Sequence, residues 1–134
     1  MPIQDPFQLP KSAQDLPLAN DTDDTYFLFF ISSISPETKQ PWCPDVRAAL
    51  PVVGAAFSFE NAPEVGFVHV GQKPEWKDVS NLHRTKWNVN AVPTLVRYQR
   101  AGAEVKETGR LVEDELLDQE KLKELVDGKR KSVI

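Results

Sequence analysis

The run Tyr-Phe-Leu-Phe-Phe-Ile at positions 26–31 holds six apolar residues in a row, with no polar position alternating through it. A strand with one wet face alternates apolar and polar residues, because successive side chains point to opposite faces of the sheet. A run without alternation needs cover on both faces, which a strand finds in the middle of a sheet flanked by helices. An α/β arrangement is therefore the frame the rest of the chain must fit. The same run is the longest apolar stretch and falls far short of the roughly 20 residues that cross a bilayer, so no membrane partner is expected.

The 134 residues suit one domain, 1–134, and 40% apolar residues are enough to build a core. A net charge of −4 and a pI near 5.2 argue against nucleic acid, whose binding draws on cationic contacts to phosphate. Cys43 is the only cysteine, so no internal disulfide holds the fold. A monomer is expected, although one exposed cysteine could pair between chains in air. The start "MPIQDPFQLPK" lacks the basic and then apolar run of a signal peptide. The compartment read from this is the cytoplasm, with the nucleus left open by the short basic cluster "GKRK".

Residues 1–24 are rich in Pro, Asp and Gln and end in the turn signal "NDTDD". They give no firm element beyond a short edge strand and a poor helix. After the strand at 26–31 comes a polar loop, "SISPETKQP", and then a helix from Pro44 with Val46, Ala49, Leu50 and Val53 on one side. Proline suits the first helical position, where its missing N–H would find no partner anyway, whereas Pro51 should bend the helix from within. A second strand is expected at 65–70, then a long surface loop, "GQKPEWKDVSN", and a helix near 82–87. A strand from Thr94 should turn back through a hairpin into another around 104–106. The last helix, near 119–126, turns Leu122, Leu125 and Val126 inward, with Asp118 to cap its start and Gly128 its end. Residues 128–134 are expected to form a flexible basic tail. The whole reads as a central mixed sheet flanked by helices.

Trp42-Cys43-Pro44 at the start of a Pro-bent helix, with Val92-Pro93-Thr94 before a strand, resembles the thioredoxin fold. Pro51 stands eight residues after Cys43, where thioredoxins keep their helix-bending proline. "WCPDV" is similar to the "WCPDC" of small cytosolic proteins of the thioredoxin domain-containing protein 17 type. "FVHVGQKPEWKDVSNLHRTKWNVNAVPTLVRY" and the long loop "SSISPETKQP" also resemble that family. The likeness is good over about residues 26–98 and fades at both ends. It implies a thioredoxin-like fold and disulfide reduction with electrons from thioredoxin reductase. It puts Cys43 on the nucleophile, Trp42, Pro44 and Asp45 on its flanks, and Pro93 on a cis-proline with Val92 and Thr94 beside it in the substrate groove. The resolving cysteine falls on Val46.

With one sulfur, a thiolate can attack a substrate disulfide and form a mixed disulfide, but no second thiol one helical turn on can release it. The first reading is thus a one-cysteine oxidoreductase acting on a disulfide-containing protein or small molecule. An external thiol such as glutathione completes its cycle, as in one-cysteine glutaredoxins. The alternative is a non-catalytic module that binds a peptide or protein in the groove between Trp42 and Pro93. A third, in which Val46 is an engineered replacement that traps mixed disulfides, ranks last because "DVRAALP" reads as natural sequence.

His69 and His83 with Cys43 lack metal-ligand spacing, and no metal or cofactor is expected. Trp76 and Lys77 either border a recognition surface or anchor the long loop. The carboxylates of "EDELLDQE" read as a solvated face or as first-turn charges of the last helix.

Overall fold

The computed structural model describes residues 3–18 and 24–127. Five strands form one sheet: β1 (Ile3–Gln4), β2 (Thr25–Ile31), β3 (Glu64–His69), β4 (Thr94–Ala101) and β5 (Glu104–Val112), in the order β1-β3-β2-β4-β5. β1, β3 and β2 run parallel, whereas β4 and β5 are antiparallel to their neighbours, which gives a mixed sheet. The apolar run lies in the central strand. Tyr26 to Phe30 are fully buried, with Phe27 edge-on to Phe57 and Phe29 edge-on to Phe67.

Helix α1 (Pro44–Ala56) crosses from β2 to β3 with Pro51 inside it, and its buried residues Val46, Ala49 and Val53 carry the inward stripe. Helix α4 (Gln119–Val126) buries Leu122 and Leu125, and the Asp118 carboxylate accepts from the amides of Glu120 and Lys121 at its start. The expected cap at Gly128 and the basic tail at 128–134 lie outside the described residues.

Several boundaries differ from the sequence reading. The loop after β3 contains a five-residue helix, α2 (Lys73–Lys77), started by Pro74 in its first turn and by Glu75, whose Oε1 accepts from the Gln72 amide at 2.6 Å. The helix near 82–87 is the single turn α3 (Leu82–Thr85), capped by the Asn81 side chain accepting from His83 N. The second strand ends at His69, and β5 runs to Val112 because it pairs along the whole of β4, past a bulge opposite Arg97 and Tyr98. "EDELL" is a 3-10 turn, Glu113–Leu117, that buries Leu116 completely while the Glu113 and Asp114 carboxylates stay exposed, as the sequence reading expected of them.

Candidate functional site

The C-terminal ends of β2 and β3 place the cysteine. Just past β2, the Ser32 hydroxyl accepts from the Cys43 amide at 3.2 Å and the Ser33 carbonyl from the Trp42 amide at 3.3 Å. Just past β3, the Gly71 carbonyl accepts from the Trp42 indole at 2.9 Å and from the Ser33 amide at 3.2 Å, while the Gly71 amide donates to the Ser33 hydroxyl. Gly71 sits at φ +110°, and a Cβ there would fall 2.9 Å from the Glu75 carboxylate, so both backbone and space ask for glycine. Two parallel strand ends thus hold Trp42 and Cys43 where open α/β sheets present ligand sites.

Cys43 is the N-cap of α1, with extended backbone and no side-chain cap. It is half-buried, and its Sγ lies 3.8 Å from the Val92 carbonyl, to which the thiol can donate. The Val92–Pro93 peptide bond is cis. The turn is pinned on both sides: Thr94 Oγ1 donates to the Ala91 carbonyl at 2.7 Å, and the Glu113 amide donates to the Pro93 carbonyl at 2.8 Å. The Val92 amide has no hydrogen-bond partner among the described residues. Pro44 and Asp45 stand exposed at the start of α1. Val46 is fully buried, so the side chain one turn after the sulfur is sealed in the core and offers no polar group.

A groove of about 300 Å³ opens beside the sulfur. Five residues singled out from the sequence line it: Trp42, Cys43, Val92, Trp76 and Lys77. Pro93 and Thr94 are buried behind it. Asn90 and Ala91 precede Val92 and could have been inferred with it. Arg84 and Glu113 also line the groove and were missed. Arg84 arrives on α3, where its Nε donates to the Trp76 carbonyl at 2.7 Å and its guanidinium lies 3.9 Å from the Trp76 ring centroid. Glu113 stands at φ +55°, a left-handed position unusual for a residue with a side chain. Its one visible sequence signal, membership of an acidic run, pointed to solvent.

The two histidines lie elsewhere. His69 Nε2 sits 2.7 Å from the Asp5 carboxylate, and His83 shares its Nδ1 with the Asn81 side chain at 2.9 Å, its pKa lowered by burial. Among the described residues no group of three or more His, Cys, Asp or Glu could hold a metal ion, and no helix is long and apolar enough to cross a membrane.

Comparison with known proteins agrees with this fold. A family model described as thioredoxin domain-containing protein 17-like, thioredoxin domain, matches residues 9–127. The chain is similar to a thioredoxin domain-containing protein of Schizosaccharomyces pombe, 41% identical over 105 residues that cover 78% of this chain and 85% of that one. It is also similar to thioredoxin domain-containing protein 17 of Mus musculus, 41% identical over 76 residues, covering 55% of this chain and 60% of that protein. Among solved structures, a Plasmodium falciparum thioredoxin matches with a TM-score of 0.54 at 13% identity, covering 79% of this chain and 74% of that one, a likeness of fold alone.

Proposed function

Because the chain belongs to the thioredoxin domain-containing protein 17-like thioredoxin family, we propose that it is a thiol–disulfide oxidoreductase working with one cysteine. The observation that carries this reading is Cys43, half-exposed on the groove beside the Val92 carbonyl, with only the buried apolar Val46 one turn behind it.

In the first step the Cys43 thiolate attacks one sulfur of a substrate disulfide. The S–S bond breaks, a Cys43–substrate disulfide forms, and the other half leaves as a thiolate that takes up a proton. The unpartnered Val92 amide suits this step, since an extended segment around the substrate cysteine can pair with it as a short added strand. In the second step a glutathione thiolate attacks the substrate sulfur and expels Cys43. A second glutathione then reduces the glutathione–substrate disulfide, so two thiols are oxidised to one disulfide for each substrate disulfide reduced. Glutathione fits better than thioredoxin reductase because one cysteine cannot form the intramolecular disulfide that a reductase would reduce. A thiol-dependent cycle of this kind belongs in a reducing compartment such as the cytoplasm.

The test is intact mass after incubation with oxidised glutathione. One adduct per chain is expected, absent in Cys43→Ser and removed by reduced glutathione. No adduct, or one that reduced glutathione cannot remove, sinks the cycle. Val46→Cys is expected to add reductase-supported turnover without glutathione, because a thiol at i+3 can attack the mixed disulfide from the core side.

A binding module is the second reading, favoured by the same free amide of Val92, which needs no sulfur to engage an extended segment. A partner that stays bound to Cys43→Ser with undiminished affinity would select it.

A further inference from the structure

The groove beside Cys43 carries two cations and one carboxylate. Lys77 and Arg84 line it together with Glu113, and Asn90 adds a neutral polar group. Arg84 is not a loose surface arginine. Stacking on the Trp76 ring at 3.9 Å and donation from Nε to the Trp76 carbonyl at 2.7 Å fix its plane. Its two terminal nitrogens make no hydrogen bond among the described residues. A guanidinium held by its inner edge, with its outer donors unpaired, is pre-organised for a carboxylate, which it can meet with two parallel bonds at little further entropic cost. Trp76 is itself nine-tenths buried, so it is a fixed platform rather than a mobile flap. Lys77, next to it on α2, is exposed and adds a second positive charge to the same wall.

Resting on the one-cysteine reading above, we propose that Arg84 and Lys77 form a carboxylate-reading subsite that selects which disulfides Cys43 attacks. The preferred substrates carry a carboxylate close to the reacting sulfur. A glutathionyl group fits, since it bears two carboxylates and one ammonium at neutral pH and so mirrors the two cations and the Glu113 carboxylate of the groove. The selection acts on the first step: the Cys43 thiolate displaces one glutathione thiolate from oxidised glutathione while the retained half sits against Arg84 and Lys77.

The experiment measures the rate of adduct formation on the full chain by intact mass with three probes: oxidised glutathione, its carboxyl ethyl ester, and hydroxyethyl disulfide. Each rate is divided by that of 2-mercaptoethanol with the same probe, which removes differences in intrinsic reactivity. The corrected rate for oxidised glutathione is expected to exceed that for its ester by about fivefold at low salt, the scale of a partly exposed charge contact, and to lose most of that margin at high salt. The ratio should fall towards one in Arg84→Gln and by a smaller step in Lys77→Gln, which leaves the Trp76 contact untouched and so guards against misfolding of the first variant. A ratio near one in the unaltered chain, or a ratio that neither variant moves, overturns the subsite. Failure of Cys43 to form an adduct with any probe, hydroxyethyl disulfide included, overturns the one-cysteine chemistry and the subsite with it. Equal reaction with all three overturns the subsite alone.

Discussion

Ser32 accepts the Cys43 amide with its hydroxyl, and Thr94 donates its own to the Ala91 carbonyl, both from fully buried positions. A buried hydroxyl costs free energy unless it is paired, so each is placed there by its partner, and each partner belongs to the groove. Thr94→Val keeps shape and volume but strips the Ala91 carbonyl of its donor. The expected loss is about 1–2 kcal/mol in denaturant unfolding, together with slower alkylation of Cys43 because Val92 is no longer held. An unchanged midpoint would mean that the turn is set by Pro93 and Glu113 alone. His83 gives the residue-scale dependence on pH. Burial against Phe30, whose ring stands 6.1 Å away, lowers its pKa in the folded chain from the ordinary 6.5. The unfolded chain therefore takes up the proton first as the pH falls, so stability present above 6.5 is lost below it. Unfolding midpoints at about pH 7.5 and about pH 5.5 should differ less in His83→Gln than in the unaltered chain; equal differences would assign the slope to carboxylates.

Between elements, Arg97 joins β4, β5 and the end of α4. Only 8% exposed, it donates from Nε to the Thr108 hydroxyl, from one terminal nitrogen to the Leu125 carbonyl at 2.7 Å and from the other to the Thr108 carbonyl. The Leu125 carbonyl lies in the last turn of α4, where helix carbonyls lack intrahelical partners and a cation is favourable. Room for this comes from Gly109, directly opposite Arg97, where a Cβ would fall 2.6 Å from the Leu125 side chain. Arg97→Met should cost about 1–3 kcal/mol, chiefly by taking the buried charged donor from the Leu125 carbonyl, and hydrogen exchange should rise first in α4. Exchange rising evenly over the sheet would count against a local clamp. Nothing in "LVRYQR" marks Arg97 as buried, because its partners are 11 and 28 residues away. The same holds for the groove. Cys43 was legible from local pattern and family likeness together, whereas Val92 and Pro93 were legible from the likeness alone. Arg84 and Glu113 come to the groove only through the packing of α3 and the turn after β5. Helix α2 was read as loop because Gly71, Pro74 and Asp78 are turn residues, and its Glu75 cap shows only once the chain has folded.

At the scale of the whole molecule, the N-terminal segment touches both edges of the sheet. β1 pairs with β3 at one edge, and Phe7 packs on Tyr26 at 5.4 Å and over Gly66, where a Cβ would fall 2.4 Å from its ring. At the other edge, Gln14 donates to the Val105 carbonyl at 2.9 Å and accepts from the Val105 amide at 2.8 Å, so a side chain takes the place of a neighbouring strand. Leu16 and Leu18, just past Gln14, are buried in the core. Contacts 91 residues apart in sequence leave no local periodicity, which is why this stretch gave no firm element on reading. Open sheet edges invite pairing with other chains, and covering both is a device against it. Deleting residues 1–18 would uncover Tyr26, Gly66 and the outer edges of β3 and β5 together. The midpoint of thermal unfolding should then drop by about 10 °C or more, with concentration-dependent association in sedimentation. Gln14→Ala, which opens only the β5 edge, should cost about 1–2 kcal/mol and leave the β3 edge closed, so its association should stay weaker than that of the deletion. A deleted chain that melts where the intact one does, and associates no more than it, would mean that the segment rides on the domain without holding it.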